Sequence, residues 1–151
     1  MFKGWHHTCV NVSDLERSVA FYTEILGLKV TLRADIDNAE IAKVVGIPGA
    51  KLAAAFMEVP GTPTVVEMFQ YVSCDPKPLP EGRKSCDIGI HHICFEVDDI
   101  QEAYETLKGK GVHFDTEPMN ISQDEPNFAG AKICYFKDPD GNTLELLETP
   151  K

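Results

Sequence analysis

The feature that most constrains this chain is a ten-residue pattern that it contains twice. Residues 5–14 read WHHTCVNVSD, and residues 90–99, 85 positions later, read IHHICFEVDD. Each copy has paired histidines and a cysteine two positions after the second histidine. Apolar residues at helical spacing follow each copy, and an apolar run with one glutamate inside it closes each half. The repeat therefore predicts two halves of the same architecture.

The first half reads as a strand, a helix and three further strands. The Ser13-x-x-Glu16 pattern predicts a reciprocal cap at the start of the helix. The predicted elements are, in order, a strand over residues 4–12, a helix over 13–26, a strand over 28–33, a short helix capped by Asn38, and a hairpin with strands at 51–59 and 64–72.

The second half repeats this order after a connector at residues 73–88, which are rich in proline and charge. Its predicted elements are a strand over residues 89–97, a helix opened by Asp98-x-x-Gln101, a strand over 112–117, a polar loop over 119–130 that contains Pro126, and a hairpin with strands at 131–136 and 143–148. The predicted fold class is α+β. Two tandem βαβββ modules, residues 1–72 and 89–151, form one pseudo-symmetric domain spanning residues 1–151.

Strand alternation sorts the histidines into two faces. His6 and His91 share a face with the mainly apolar residues that pack under the helices, whereas His7 and His92 point to the opposite, polar-lined face. The same test points one glutamate of each closing strand, Glu67 and Glu145, toward that polar face. A single strand histidine is more often an ordinary hydrogen-bonded residue than a ligand. A glutamate among apolar neighbours, however, needs a partner or a metal.

Two imidazoles and two carboxylates at equivalent places in two repeats predict a shared divalent-metal site, with His7, Glu67, His92 and Glu145 as ligands. Zn, Ni, Co, Mn and Mg all suit this ligand set. Cys9 and Cys94 are expected to be pocket walls or core residues, because a soft thiolate is a poor companion for two carboxylates.

Composition excludes several classes of partner. The formal net charge of −10 argues against nucleic acid, which needs a basic face. The chain has no apolar run of about 20 residues and no signal-peptide pattern, so we expect a cytoplasmic protein without a membrane partner. Five cysteines with no CxxC motif indicate reduced thiols.

Three stretches resemble the vicinal-oxygen-chelate superfamily, which includes glyoxalase I, methylmalonyl-CoA epimerase, extradiol dioxygenases, and fosfomycin- and bleomycin-resistance proteins. HHTCVNVSDLERSVAFYTEILGLKV is similar to the first unit of glyoxalase I, HHICFEVDDIQEA to the second unit of the epimerases, and DPDGNTLELLE to the common ending of the superfamily. The resemblance implies a curved sheet around a metal pocket, a homodimer, and His7, Glu67, His92 and Glu145 as the four ligands of the lyase and isomerase branches. Whether that pocket lies within one chain or across two stays open.

At two positions this sequence has a different residue from the one usual in the families that it resembles. Asn11 stands where glyoxalase I usually has an arginine that holds the carboxylate of glutathione, and Glu67 is an acid where the epimerases commonly have an amide. The involvement of glutathione or of CoA therefore stays open.

The predicted function is that of a metal-dependent lyase or isomerase. It would abstract a proton next to the metal-bound carbonyl of a small carbonyl compound or thioester, with Glu145 or Glu67 as the base. The alternatives are an Fe(II) ring-cleaving dioxygenase, which typically uses only one carboxylate ligand, and a non-catalytic drug-binding resistance protein. The residues that could line an aromatic drug-binding groove are Trp5, Phe56, Phe69, Tyr71 and Phe128.

Residues outside the predicted ligand set have weaker assignments. Arg33, Lys51 and Lys132 are candidates for contact with an anionic substrate group, each equally plausible as a solvated surface charge. Residues 35–50 and 119–130 follow the second strand of each module and are candidates for a cover over the pocket.

Overall fold

The computed structural model describes residues 1–125 and 128–150, so Pro126 of the predicted polar loop lies outside the described residues. The chain forms two compact units, Met1–Pro78 and Leu79–Lys151, and the boundary between them falls inside residues 73–88. Each unit contains one four-stranded sheet with both parallel and antiparallel pairs, which confirms the α+β class.

Unit 1 has the strand order β1-β4-β3-β2, in which β1 pairs with β4 in parallel and the other pairs are antiparallel. Its elements are β1 His7–Asn11, α1 Leu15–Ala20 with a π-helical continuation Phe21–Ile25, β2 Lys29–Ile36, α2 Ala39–Val44, β3 Leu52–Glu58 and β4 Val65–Tyr71. The predicted hairpin and the Asn38 cap of α2 are confirmed, since the Asn38 side chain accepts a hydrogen bond from the Ile41 amide.

Unit 2 repeats this order as β5-β8-β7-β6, with β5 and β8 parallel. Its elements are β5 His92–Glu96, α3 Ile100–Gly109, β6 Met119–Asn120, β7 Lys132–Lys137 and β8 Thr143–Glu148. Within the described residues, no helix is long and apolar enough to cross a membrane.

The predicted strand over residues 112–117 is wrong. This segment makes only an isolated bridge between Phe114 and Phe136, and a two-residue strand forms later, inside the predicted polar loop. The Phe114 ring lies 4.7 Å from the Tyr104 ring and 5.2 Å from the Phe136 ring. Aromatic packing against α3 and β7 therefore holds the segment where a ladder of backbone hydrogen bonds was expected.

The two long helices begin one residue later than the cap motifs predict. Asp14 and Asp99 are the N-caps, in place of Ser13 and Asp98, and each accepts a hydrogen bond from the amide three residues on, at 3.0 Å. A carboxylate is a strong acceptor at a helix N-terminus, where the helix dipole also favours negative charge. Ser13 instead accepts a hydrogen bond from the Arg17 guanidinium.

One face of each sheet is buried against its helix, as predicted. Val66 and Met68 in unit 1 are 0–1% exposed, and Leu144 and Leu146 in unit 2 are 0–3% exposed. These residues lie on β4 and β8, the strands that contact α1 and α3 respectively. Because side chains alternate along a strand, Glu67 and Glu145 point to the opposite face of each sheet, which we call the His–Glu face.

Candidate metal centre

The parallel pairing of β1 with β4 brings His7 next to Glu67. Cys9 lies directly opposite Glu67, and His7 lies two residues earlier on the same face of β1. The His7 Nε2 atom is 3.3 Å from the Glu67 Oε2 atom. The Glu67 side chain is 10% exposed and that of His7 is 38% exposed, so a nearly buried carboxylate meets an accessible imidazole.

Unit 2 builds the same pair by the same pairing of strands. Cys94 lies opposite Glu145, and the Nε2 atom of His92 is 2.9 Å from the Glu145 Oε2 atom. The Glu145 side chain is 11% exposed. Tyr135 of β7 is paired with Glu145 on the other side, and its ring centroid is 5.3 Å from that of His92. The sequence repeat thus becomes a repeat of side-chain geometry within each unit.

The donor atoms of each pair suit a divalent ion. Two ligands that bind one ion at about 2.1 Å in neighbouring coordination positions lie roughly 3.0–3.4 Å apart. The observed separations of 3.3 and 2.9 Å are close to that range. Over residues 1–125 and 128–150, no group of three or more His, Cys, Asp or Glu side chains forms a possible metal site, so the structure shows the predicted ligands as two pairs, one on each unit. Their combination in one site stays a prediction.

His6 does not occupy the position that strand alternation predicts for it. The strand β1 begins only at His7, and the Nδ1 atom of His6 is 2.8 Å from the Nδ1 atom of His7. The alternation rule applies to residues inside a pleated strand, so it does not extend to a residue that precedes one. The predicted separation of the two rings onto opposite faces is therefore wrong.

The cysteines opposite the two glutamates are hydrogen-bond donors. Burial, the hydrogen bond to Glu67 and the charge of Glu67 together raise the pKa of Cys9 from its ordinary 9.0 to about 12. Burial, the charge of Glu145 and a hydrogen bond to it raise the pKa of Cys94 to about 12. Because the thiolate is the form that binds metals, these protonated thiols support the carboxylates and are poor ligands themselves.

The model of the Glyoxalase/Bleomycin resistance protein/Dioxygenase superfamily matches residues 4–146. The chain belongs to this superfamily.

Among the relatives of this superfamily member is a 2-epi-5-epi-valiolone epimerase from an Actinomyces species, 33% identical over 149 residues that cover 96% of this chain and 79% of the relative. A lactoylglutathione lyase of Salmonella typhimurium is 32% identical over 147 residues, which cover 94% and 90% of the two chains. The chain spans less than half the length of the plant and yeast relatives that it also matches.

The crystal structure of a glyoxalase family protein from Bacillus cereus is similar in fold, with a TM-score of 0.86 at 18% identity. The match covers 100% of this chain and 97% of that chain. At this identity the likeness concerns the fold alone.

The short helix α2 of this superfamily member covers part of the His–Glu face of unit 1. Phe69 and Tyr71 lie on the same face of β4 as Glu67, and both pack against the buried cluster of Ala42, Ala50 and Leu52. The helix Ala39–Val44 of the segment 35–50 therefore lies beside this face of unit 1, and its role as a cover over a pocket stays a prediction. Among the other candidate groove aromatics, Phe56 lies opposite Glu67, whereas Trp5 and Phe128 are 79% and 59% exposed.

The basic residues considered for an anionic substrate have partners elsewhere. Arg33 pairs with Glu16 of α1, and the Lys132 Nζ atom is 2.8 Å from the Glu148 Oε1 atom, so both lie on the helix side of their sheets. Lys51 pairs with Asp37 at 2.7 Å. These charges are satisfied away from the two His–Glu pairs.

Sequence reasoning missed one basic residue, Lys137, on the His–Glu face of unit 2. Lys137 lies opposite Thr143, which in turn lies opposite His92. The Lys137 Nζ atom is 2.9 Å from the Thr143 Oγ1 atom and 3.0 Å from the Asp115 Oδ2 atom. Counting alternate residues back across the hairpin from Glu145 could have found it, because register in a hairpin fixes which residues share a face.

The raised pKa values predict unequal reactivity among the five cysteines. Cys9, Cys94 and the two cysteines of the connector, Cys74 and Cys86, are all exposed, but the pKa values of the Cys9 and Cys94 thiols are raised to about 12, and burial raises the pKa of Cys134 to about 11. At pH 8, iodoacetamide should modify the two connector thiols at least about tenfold faster, since the thiolate is the reactive form. Peptide mass spectrometry over a time course measures this.

A Glu67→Gln variant provides an internal control for that experiment. Removing the negative charge next to Cys9 lowers its pKa, so alkylation of Cys9 should accelerate while that of Cys94 stays unchanged. Equal rates at all five cysteines in the unmodified protein would contradict the proposed role of the two thiols.

Proposed function

We propose that this protein is a metal-dependent lyase or isomerase that removes a proton next to the carbonyl of a small carbonyl compound or thioester. One observation carries the proposal: each unit places a histidine Nε2 atom 3.3 or 2.9 Å from a nearly buried glutamate, in the same register. The two relatives named above, a lyase and an epimerase, support a reaction of this class.

His7, Glu67, His92 and Glu145 would together hold one divalent ion, whether Zn, Ni, Co, Mn or Mg. The ion supplies Lewis-acid polarisation of a carbonyl oxygen, which acidifies the neighbouring C–H. Such ligands fit this role because imidazole and carboxylate both suit borderline and hard divalent ions.

The two glutamates supply the candidate bases. Glu145 or Glu67 takes the proton from the carbon next to the carbonyl and returns it either to the same carbon, which is epimerisation, or to the neighbouring one. Hydrogen bonds from Cys94 and Cys9 orient these carboxylates.

We also propose a class of substrate, a homodimeric assembly and a cellular compartment for this protein. Asn11 in the place of the usual arginine, and the pairing of Arg33 with Glu16, favour a substrate other than a glutathione adduct. We propose a homodimer on the basis of the resemblance alone. Five free cysteines support a reducing compartment such as the cytoplasm.

Solvent-deuterium exchange tests the reaction class. The protein, loaded in turn with each of the five metals, is incubated in D₂O with a panel of hemithioacetals, acyl-CoA thioesters and small ketones, and followed by proton NMR. We expect metal-dependent deuterium uptake at the carbon next to the carbonyl. Uptake should fall at least about 100-fold in Glu145→Gln or Glu67→Gln and stay unchanged in Glu40→Gln, which alters an exposed glutamate of α2. If the metal-loaded protein caused no deuterium uptake in any compound of the panel, the result would favour the dioxygenase or the drug-binding protein.

A further inference from the structure

The two histidine pairs of the repeat differ in the contacts of their first members. His6 precedes β1, and its Nδ1 atom is 2.8 Å from the Nδ1 atom of His7, with the two rings nearly perpendicular at 86°. In unit 2, His92 packs beside the Tyr135 ring, and His91 lines a small cavity with Arg83 and Thr143. The same sequence pattern therefore produces a histidine–histidine hydrogen bond in unit 1.

A hydrogen bond between two Nδ1 atoms constrains both imidazoles. At 2.8 Å one ring must donate its N–H and the other must accept with a lone pair. A histidine that binds a metal through Nε2 carries its proton on Nδ1 and donates it to an outer partner, which orients the ring. The His6 Nδ1 atom occupies the position of such a partner for His7.

The geometry at Glu67 agrees with this assignment. With Nδ1 of His7 engaged by His6, the remaining nitrogen, Nε2, faces the Glu67 carboxylate at 3.3 Å. The ring is thus held from both sides, with its second nitrogen directed to the carboxylate that is the other predicted ligand of unit 1.

We propose that His6 is a positioning residue for the metal site: it accepts the Nδ1–H of His7 and thereby presents Nε2 of His7 as the ligating atom. This inference rests on the proposed function, in which His7 is a metal ligand. It assigns to His6 the part that a carboxylate or a backbone carbonyl plays beside most metal-binding histidines.

Metal affinity measured on the full chain tests the inference. Zn²⁺ binding is followed by calorimetry with a competing chelator, and Co²⁺ binding by its visible absorption. His6→Leu should weaken binding by about 10–100-fold, the usual cost of losing an outer partner. His6→Asn places an acceptor, Oδ1, where Nδ1 was and should restore affinity to within about threefold of the unmodified protein.

The matched control is His91→Leu, the same change at the equivalent position of the repeat, which should leave the affinity unchanged. Unaltered binding in a folded His6→Leu variant would overturn the inference, as would equally weak binding by His6→Asn and His6→Leu. Failure of the unmodified protein to bind any divalent ion would overturn the proposed function together with the inference, so the two failures are distinguishable.

Discussion

A His7→Ala/Glu145→Gln variant should lose the divalent ion that the unmodified protein retains, with affinity weaker by about 100-fold or more. The double change removes one donor from each His–Glu pair, and losing a direct ligand costs more than the 10–100-fold typical of an outer partner. Metal content after desalting, measured by mass spectrometry of the elements, should fall from near one ion per chain to a small fraction of that value.

A His113→Ala/Glu40→Gln variant is the matched control for this experiment. It makes the same two substitutions at exposed positions outside the His–Glu faces and should keep its metal. Retention of a stoichiometric ion by His7→Ala/Glu145→Gln would show that the ligands are other residues. A ratio of two ions per chain in the unmodified protein would show that each pair binds separately.

An Asp138→Ala variant should lower the free energy of unfolding by about 2–4 kcal/mol. The Asp138 carboxylate is nearly buried and accepts hydrogen bonds from the amides of Asp140 and Asn142 and from the Asn142 side chain, at 2.8–2.9 Å. Its removal leaves part-buried donors without their charged acceptor. Urea unfolding followed by circular dichroism measures the change.

The turn at Asp138 also connects the candidate site to stability. It joins β7 to β8 and so maintains the register that pairs Tyr135 with Glu145. The control is Asp75→Ala, which removes an exposed ion pair with Lys77 and should cost less than about 0.5 kcal/mol. If Asp138→Ala lowered the free energy of unfolding as little as Asp75→Ala does, the turn would be held by its backbone and by the contact of Arg83 with the Gly141 carbonyl.

The sequence pattern predicted the structure correctly where the alternation of side chains along a strand decides which face a residue occupies. Alternation along a strand placed Glu67 and Glu145 on the faces opposite Val66 and Leu144, because successive side chains of a strand point to opposite sides. The same rule failed for His6, which precedes its strand. The strand expected over residues 112–117 does not form, because the contacts of Phe114 with two other aromatic rings outweigh strand propensity.

The amino-acid sequence by itself determined the duplicated order of elements, the buried face of each sheet and the face on which Glu67 and Glu145 lie, since these follow from periods of two and 3.6 residues. Only the tertiary structure decided which partner each polar side chain meets. His7 contacts Glu67 because β1 pairs in parallel with β4. Arg33 forms an ion pair with Glu16 because the Arg33 side chain lies on the side of its sheet that faces α1. Such contacts join residues 17 to 60 positions apart along the chain, and packing and strand register, which no local pattern encodes, bring them together.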